Sequence, residues 1–384
     1  MKNRAQYPVY LDFNATTPLD PVVVEAMQEF ISPEFGNPSS THFYGIAPRR
    51  AVNKARRQVA EFLNCSPSEI VFTGCATESN NLAIKGISMA LKHRGNHIIT
   101  TRIEHPAVLE VCAYLRRNGF EASFLPVDEH GLVDVRDVER AVCERTILIS
   151  VMHANNEVGT IQPIEEIAEI ARSRGIILHT DAAQTPGKVP VDVKALGVDL
   201  LTIAGHKLYA PKGVGALYLR EGIGLEPILH GAGQERGMRP GTENVIGIVG
   251  LGMACELAAQ NNEQDARHMQ TMRDLLHTGI EQAVRDVRLN GHPEKRLPNT
   301  LSLSFRGIEA GRLLEEIGPY VAASAGAACH SGEVTISHVL AAMQVPGEWV
   351  RGTLRLSTGR TTTREDVLFA AQVIADAVNA LRSS

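Results

Sequence analysis

Long apolar runs are missing from this chain. No window approaches the roughly 18 consecutive apolar residues of a membrane-spanning helix, and residues 1–12, MKNRAQYPVYLD, lack the apolar stretch of a secretory signal. The sequence therefore predicts no membrane contact and a cytoplasmic location. Positive charge is not in excess either: 38 Lys and Arg stand against 43 Asp and Glu, a formal net charge of -5, the wrong sign for a surface that coats nucleic acid. The six cysteines include no CxxC pair, which leaves neither a disulfide framework nor a zinc knuckle, and most are expected to be small buried hydrophobes. Repeats and low-complexity tracts are absent. What remains is 384 residues, 44% hydrophobic, 21% charged and 5% aromatic, an ordinary globular composition. Single cores stop growing near ~250–300 residues, so two domains and small-molecule chemistry are expected.

Between about residues 49 and 220, helix-like stretches alternate with short runs of Val, Ile and Leu, the pattern of βαβ units around a mainly parallel sheet. The spacing predicts helices over 49–64, 78–92, 106–117 and 163–174 and strands over 97–101, 146–152, 175–180 and 199–204. Polar residues follow these strands: Glu104 and His105, Asn155 and Asn156, Asp181 and Gln184, His206 and Lys207. Ligands in open α/β sheets bind outside the carboxyl ends of strands, so four strands are expected to deliver polar groups to one edge. Past residue 245 the texture changes to long helical segments, 244–260 and 265–284, then a strand at 299–305 and a terminal helix over 364–381. A second, α+β domain is read as beginning near Gln260.

TGCATESNN, residues 73–81, lies where a strand-like run over 69–72 turns into a helix. Small residues let backbone approach an anion, and a helix N-terminus offers free N–H groups with a positive dipole end. A phosphate site fits; ordinary capping by Thr77, with Glu78 in the first turn, is the alternative. Lys207 follows an apolar strand and precedes the small-residue run APKGVGA. A lysine desolvated there loses proton affinity and becomes an amine nucleophile able to form a Schiff base, although most lysines are solvated surface groups. Asp181 on the neighbouring strand shifts that balance, because a carboxylate near a phosphate site and a Schiff-base lysine is the partner that the pyridinium nitrogen of pyridoxal phosphate requires. The run SAGAACHSG, residues 324–332, is too small-sided to build a core. It reads as a mobile loop carrying a reactive thiol, Cys329, or else as a tight crossing of elements. Arg355 interrupts an apolar run and needs an anionic partner, a ligand's or an internal one.

Taken in order, these segments resemble the NifS/IscS-type cysteine desulfurases, a branch of the fold-type I pyridoxal phosphate enzymes. The resemblance runs from LDFNATTP (11–18) through FGNPSS (35–40), ATESNN, Glu104-His105, HANNE (153–157), HTDAAQ (179–184), GHK (205–207), QERGMRPGT (234–242) and the Cys329 loop to Arg355 and Arg360, nearly the whole chain. It implies an α/β fold-type I transferase: a large domain over 16–260 on a mainly parallel seven-stranded sheet, and a smaller α+β domain from 1–15 and 261–384 that carries Cys329. It implies pyridoxal 5'-phosphate and no metal. Lys207 would hold the cofactor as a Schiff base and later transfer protons, His105 would stack on the ring and move protons, Asp181 would keep the ring nitrogen protonated, and Gln184 would bond the phenolic oxygen. The phosphate would fall to Ala76, Thr77 and His206, joined by Thr242 from the second subunit of a homodimer. Asn156, beside the cofactor, and Arg355 would grip the substrate carboxylate. Cys329 would take the sulfur of L-cysteine as a persulfide, leaving L-alanine, and deliver it to an acceptor protein such as an iron-sulfur scaffold.

Three departures qualify the resemblance. Ala204 stands where many relatives have a serine that bonds the phosphate, a loss of roughly 1 kcal/mol unless Thr202 substitutes. Gly74-Cys75 replaces a commoner Ser-Gly or Gly-Gly. The segment AGAACHSG, together with GQER and RPGTEN, is also similar to the selenocysteine lyases, which leaves release of selenium from selenocysteine as the alternative reaction.

Overall fold

A computed structural model describes residues 7–330 and 333–383, with the side chains of 327–335 outside the description. Successive residues in Leu148-Ile149, Ile177-Leu178 and Leu200-Leu201 enter different apolar cores, as expected of strands buried on both faces. The strands β1 (Ile70–Thr73), β2 (His97–Thr101), β3 (Glu121–Leu125), β4 (Thr146–Ser150), β5 (Ile177–Asp181), β6 (Leu200–Ala204) and β7 (Gly215–Leu219) form one sheet in the order β1-β7-β6-β5-β4-β2-β3. β7 runs antiparallel to β1 and β6, and the remaining neighbours pair parallel. Its faces are covered by α1 (Phe43–Leu63), α2 (Ala76–Ala90), α3 (Pro106–Arg117) and α4 (Ile164–Arg174). Residues of α1 and α4 enter one core and those of α2 and α3 the other. The sequence pattern anticipated these helices, but α1 begins at Phe43 rather than 49 and carries Pro48 inside its second turn.

The segments expected as two helices over 244–260 and 265–284 are one, α5 (Val245–Ala283), 39 residues long. The polar stretch Asn261-Asn262-Glu263-Gln264 lies at the surface and contains no proline or glycine, so nothing interrupts the backbone ladder. Ile248, Leu251 and Ala258 of this helix pack on the sheet, while Met272, Leu276 and Ile280 belong to a second core. That second core lies under a four-stranded antiparallel sheet of β8 (Val287–Asn290), β9 (Thr300–Phe305), β10 (Ser324–Ala325) and a later strand, Thr353–Ser357. The helices α6 (Ala310–Ile317), α7 (His338–Ala342) and α8 (Arg364–Ser383) complete this half of the chain. Leu11 is buried in the second core as well, and Val9–Tyr10 pairs parallel with Val321–Ala322, so the start of the described chain is built into this half.

The segment around Cys329, expected as a mobile loop or a tight crossing of elements, has strand-paired backbone: β11 (Ala327–His330) pairs antiparallel with β12 (Glu333–Ile336) as a hairpin, and Thr353–Ser357 is accordingly β13. A separate apolar cluster joins Ile103, Met152 and Val158, beyond the ends of β2 and β4, to Val339, Leu340 and Met343 after the hairpin. Among the described residues no helix is long and apolar enough to cross a membrane.

Candidate active site

Beyond the carboxyl ends of β2, β4, β5 and β6 lies a cavity of about 280 Å³, and His105, Asn156, Asp181, Gln184, His206 and Lys207 all line it. Ala76 and Thr77 face it from the start of α2, and Arg355 from β13. Thr242 is exposed and does not line the cavity of this single chain. Glu104 and Asn155, expected at the same edge, turn into the protein instead. Asn155 Oδ1 accepts from the amides of Glu157 and Val158, shaping the turn that presents Asn156. Glu104 is wholly buried, accepting from Thr101 Oγ1 at 2.7 Å and Met152 N at 3.0 Å. Burial, aided by Asp181 and opposed by those two bonds, pushes its carboxyl up to about 8.

Lys207 stands in a short 3-10 turn directly after β6. Its Nζ donates to the carbonyls of Asn14 and of Ala15, the latter at 2.7 Å. Desolvation, then the charge of Arg355, draws the ammonium down to about 8, against the opposing pull of Asp12 and Asp181. Asp181, buried at the end of β5, is held at both oxygens: Oδ2 accepts from Asn80 Nδ2 at 2.7 Å and Oδ1 from the amide of Ala183 at 2.9 Å. His105 caps α3, with Nδ1 accepting from Ala107 N at 3.1 Å; in the neutral ring the proton is therefore on Nε2. Desolvation, with smaller contributions from Lys207 and His338 and against Asp181, lowers its proton affinity. His206 is drawn down to about 4 by desolvation and by Lys207 and Lys212, and its Nδ1 lies 3.2 Å from Thr16 Oγ1.

The phosphate-type segment differs from simple capping. The N-cap of α2 is Cys75, whose side chain makes no cap hydrogen bond, and Thr77 lies inside the first turn. Glu78 folds back to accept from Gly74 N at 2.9 Å and from Arg239 Nε at 2.8 Å. The first amides of α2 thus open toward the cavity without a side-chain cap, at the positive end of a 15-residue helix. Thr202 does not stand in for the missing serine at Ala204: its hydroxyl is buried against His179 Nε2 at 3.1 Å, inside the sheet.

Arg355 has the internal partner its setting called for. Nη2 donates to Asp12 Oδ1 at 2.7 Å and to Ser324 Oγ at 3.1 Å, and Nη1 makes a long bond to the Asn156 carbonyl at 3.3 Å. The Cys329 side chain lies outside the described residues. The exit of its hairpin is tied to the cavity rim, since Ser337 Oγ donates to Glu157 Oε2 and His338 Nε2 donates to the Glu104 carbonyl at 2.9 Å. Of the five cysteines whose side chains are described, Cys112 and Cys255 are buried, whereas Cys75 and Cys143 are exposed, so burial is less general than composition suggested.

Asn80, Asp12 and the carbonyls of Asn14 and Ala15 were not singled out from sequence. Asn80 is the only one of these with a local signal, a buried amide on the inner face of the helix opened by ATESNN. A desolvated amine, an anchored carboxylate, two imidazoles and an uncapped helix N-terminus on one small cavity suit a phosphorylated pyridine aldehyde: each donor has a matching group on that molecule.

Comparison with known proteins leads to the same chemistry. Residues 9–369 match the Aminotransferase class-V family. A cysteine desulfurase IscS of Dictyoglomus turgidum (strain DSM 6724 / Z-1310) is 47% identical over 376 residues, covering 98% of this chain and 95% of that protein. The cysteine desulfurase IscS of Methanosarcina thermophila is 48% identical over 376 residues, with 98% and 93% covered. A solved NifS-like protein superposes with a TM-score of 0.91 at 40% identity, covering 98% of this chain and all of that one. Both IscS relatives are named for cysteine, so the selenocysteine lyase alternative is not favoured. The chain belongs to the class-V aminotransferase family and, within it, to the cysteine desulfurases, enzymes that depend on pyridoxal phosphate.

Proposed function

We propose that the protein converts L-cysteine to L-alanine and takes the sulfur onto Cys329 as a persulfide for delivery to an acceptor protein, such as an iron-sulfur scaffold. The observation that carries this reading is the placement of Lys207, the anchored Asp181 and the uncapped start of α2 on one cavity. In this account the chain works as a homodimer with a large domain over 16–260 and a small one from 1–15 and 261–384. Ala76, Thr77 and His206 hold the cofactor phosphate, joined by Thr242 from the second subunit. Pyridoxal phosphate, when bound, supplies an electron sink that makes the carbon–sulfur bond of the substrate cleavable.

The residues of the chain do the rest. Lys207, with proton affinity lowered into the working range, anchors the cofactor and afterwards moves a proton at its Nζ. Asp181 keeps the ring nitrogen protonated, because Asn80 and Ala183 N fix its oxygens. His105 packs on the ring and exchanges a proton at Nε2. Gln184 bonds the phenolic oxygen. Asn156 and Arg355 grip the substrate carboxylate, Arg355 being held by Asp12 on Nη2 while Nη1 makes only its long bond to the Asn156 carbonyl. Cys329 then takes the sulfur as a thiolate and leaves the site carrying it.

A single turnover tests this directly. Mixing the loaded protein with L-cysteine in the absence of reductant is expected to release one alanine per active site and to leave sulfur that cyanide removes from the protein as thiocyanate. Alanine without protein-bound sulfur, or pyruvate in place of alanine, would contradict the reading.

A further inference from the structure

Lys188 is a buried ionisable group to which the chemistry above gives no role. It lies in the turn after β5, only 5% exposed, with no carboxylate paired to it among the described residues. Its Nζ donates to Gln184 Oε1 at 3.0 Å. Gln184 Nε2 donates in turn to the Asn14 carbonyl at 3.0 Å, the same carbonyl that accepts from Lys207 Nζ. The two ends of a side-chain amide have the same shape, so partners alone decide which faces which way. The lysine ammonium has donors and no acceptor and therefore meets only the amide oxygen; a carbonyl is acceptor-only and meets only the NH2 group.

We propose that Lys188 is a positioning residue that acts through Gln184, keeping the NH2 group of that amide turned toward Lys207 and the cavity. The inference rests on the reading of the cavity as a pyridoxal phosphate site, where Gln184 faces the phenolic oxygen. In the observed orientation Gln184 offers that anionic oxygen a donor; flipped, it would set lone pairs against it. The like charges of Lys207 and Arg355 face Lys188, and Asp12 and Asp181 face Lys207 with opposite charge. Burial, then Lys207 and Arg355, draws Lys188 down to about 7. As the ammonium it can only donate to Oε1; once deprotonated the amine still has N–H donors but gains a lone pair, and the Asn14 carbonyl, which only accepts, then secures the NH2 end.

The test is the pH titration of the visible absorbance band of the loaded enzyme in wild type, Lys188→Met and Lys188→Gln, each also in a Gln184→Ala background. Methionine fills the volume without a donor and is expected to move the midpoint to higher pH by about one unit, a tenfold change in proton affinity. It should also weaken uptake of pyridoxal phosphate by the cofactor-free protein several-fold, read by fluorescence. Glutamine, which retains a donor, should recover at least half of the shift. With Gln184→Ala in place, Lys188→Met should shift the midpoint no further. An unmoved midpoint in Lys188→Met would overturn the inference, as would equal shifts in both variants that persist without Gln184. Thermal unfolding identifies a variant that has lost its fold, and Lys188→Ala against Lys188→Gln then makes the same comparison. A wild type with no visible band would overturn the cofactor reading and this inference with it; a normal band whose midpoint does not move in the variants overturns the inference alone.

Discussion

Charged groups of both signs crowd the floor of the cavity, and their balance decides what Lys207 can do. Arg355 and burial lower its proton affinity, while Asp12 and Asp181 prevent the fall from going further. Beside them Glu104 carries its own consequence for stability. Its proton is held by the folded protein up to about pH 8, well above the ordinary carboxyl range of about 4.3. Between those values the folded state binds the proton and the unfolded state does not. The stability Glu104 contributes is therefore complete below the unfolded value and is lost as pH rises to 8, at no more than about 1.4 kcal/mol per pH unit. Glu104→Gln keeps an oxygen for Thr101 and Met152 N and removes the titration. Its urea midpoint should fall less than that of wild type between pH 5 and pH 8; parallel profiles would contradict the assignment. At this scale the sequence announced Lys207, Asp181 and His105 by their places after apolar strands. Asp12 was illegible, because it matters through a contact 343 positions away on which spacing carries no information; Asn80 lay on a marked helix without any sign of its partner 101 positions away, and nothing marked the pair of Lys188 and Gln184, four residues apart, as buried.

At the scale of elements, periodicity worked where one face is buried and failed where polarity masks regular backbone. β3 was missed because Glu121-Ala-Ser-Phe-Leu lies at the edge of the sheet with mostly half-buried side chains and no clean alternation. α5 was split because its exposed polar turn looks like a linker. Small residues were legible as close approach but not as to what approaches. Gly252 of α5 packs so near α1 that a Cβ there would lie 2.6 Å from Ala55 Cα. Helix propensity alone favours alanine over glycine by about 1 kcal/mol. The contact reverses the sign: Gly252→Ala should lose about 1–3 kcal/mol as α1 is forced away. A lowered thermal midpoint checks this, and an unchanged or raised one would mean that the two helices separate freely. The hairpin of β11 and β12 belongs here too. Its small residues were read as unable to build a core, and the backbone instead satisfies its polar groups by strand pairing.

On the scale of the whole molecule, the two cores meet where the chemistry is. α5 crosses from one to the other, Arg355 reaches the cavity from β13, and the cluster of Ile103, Met152 and Leu340 fastens the stretch after the hairpin to the ends of β2 and β4. The alternation of strand and helix made the main sheet legible from sequence, whereas the pairing of chain start with chain end, Val9–Tyr10 with Val321–Ala322, had no local signal. Ser337 and His338, which follow the hairpin bearing Cys329, bond Glu157 and the Glu104 carbonyl, the sequence neighbours of the cavity residues Asn156 and His105. The measurement that tests the account most directly is alanine and sulfide formation from L-cysteine and a reductant by loaded wild type and Cys329→Ala, with the visible cofactor band recorded for both. The account predicts that Cys329→Ala keeps the band and loses both products by roughly two orders of magnitude. Sulfide and alanine at the wild-type rate from Cys329→Ala would contradict it.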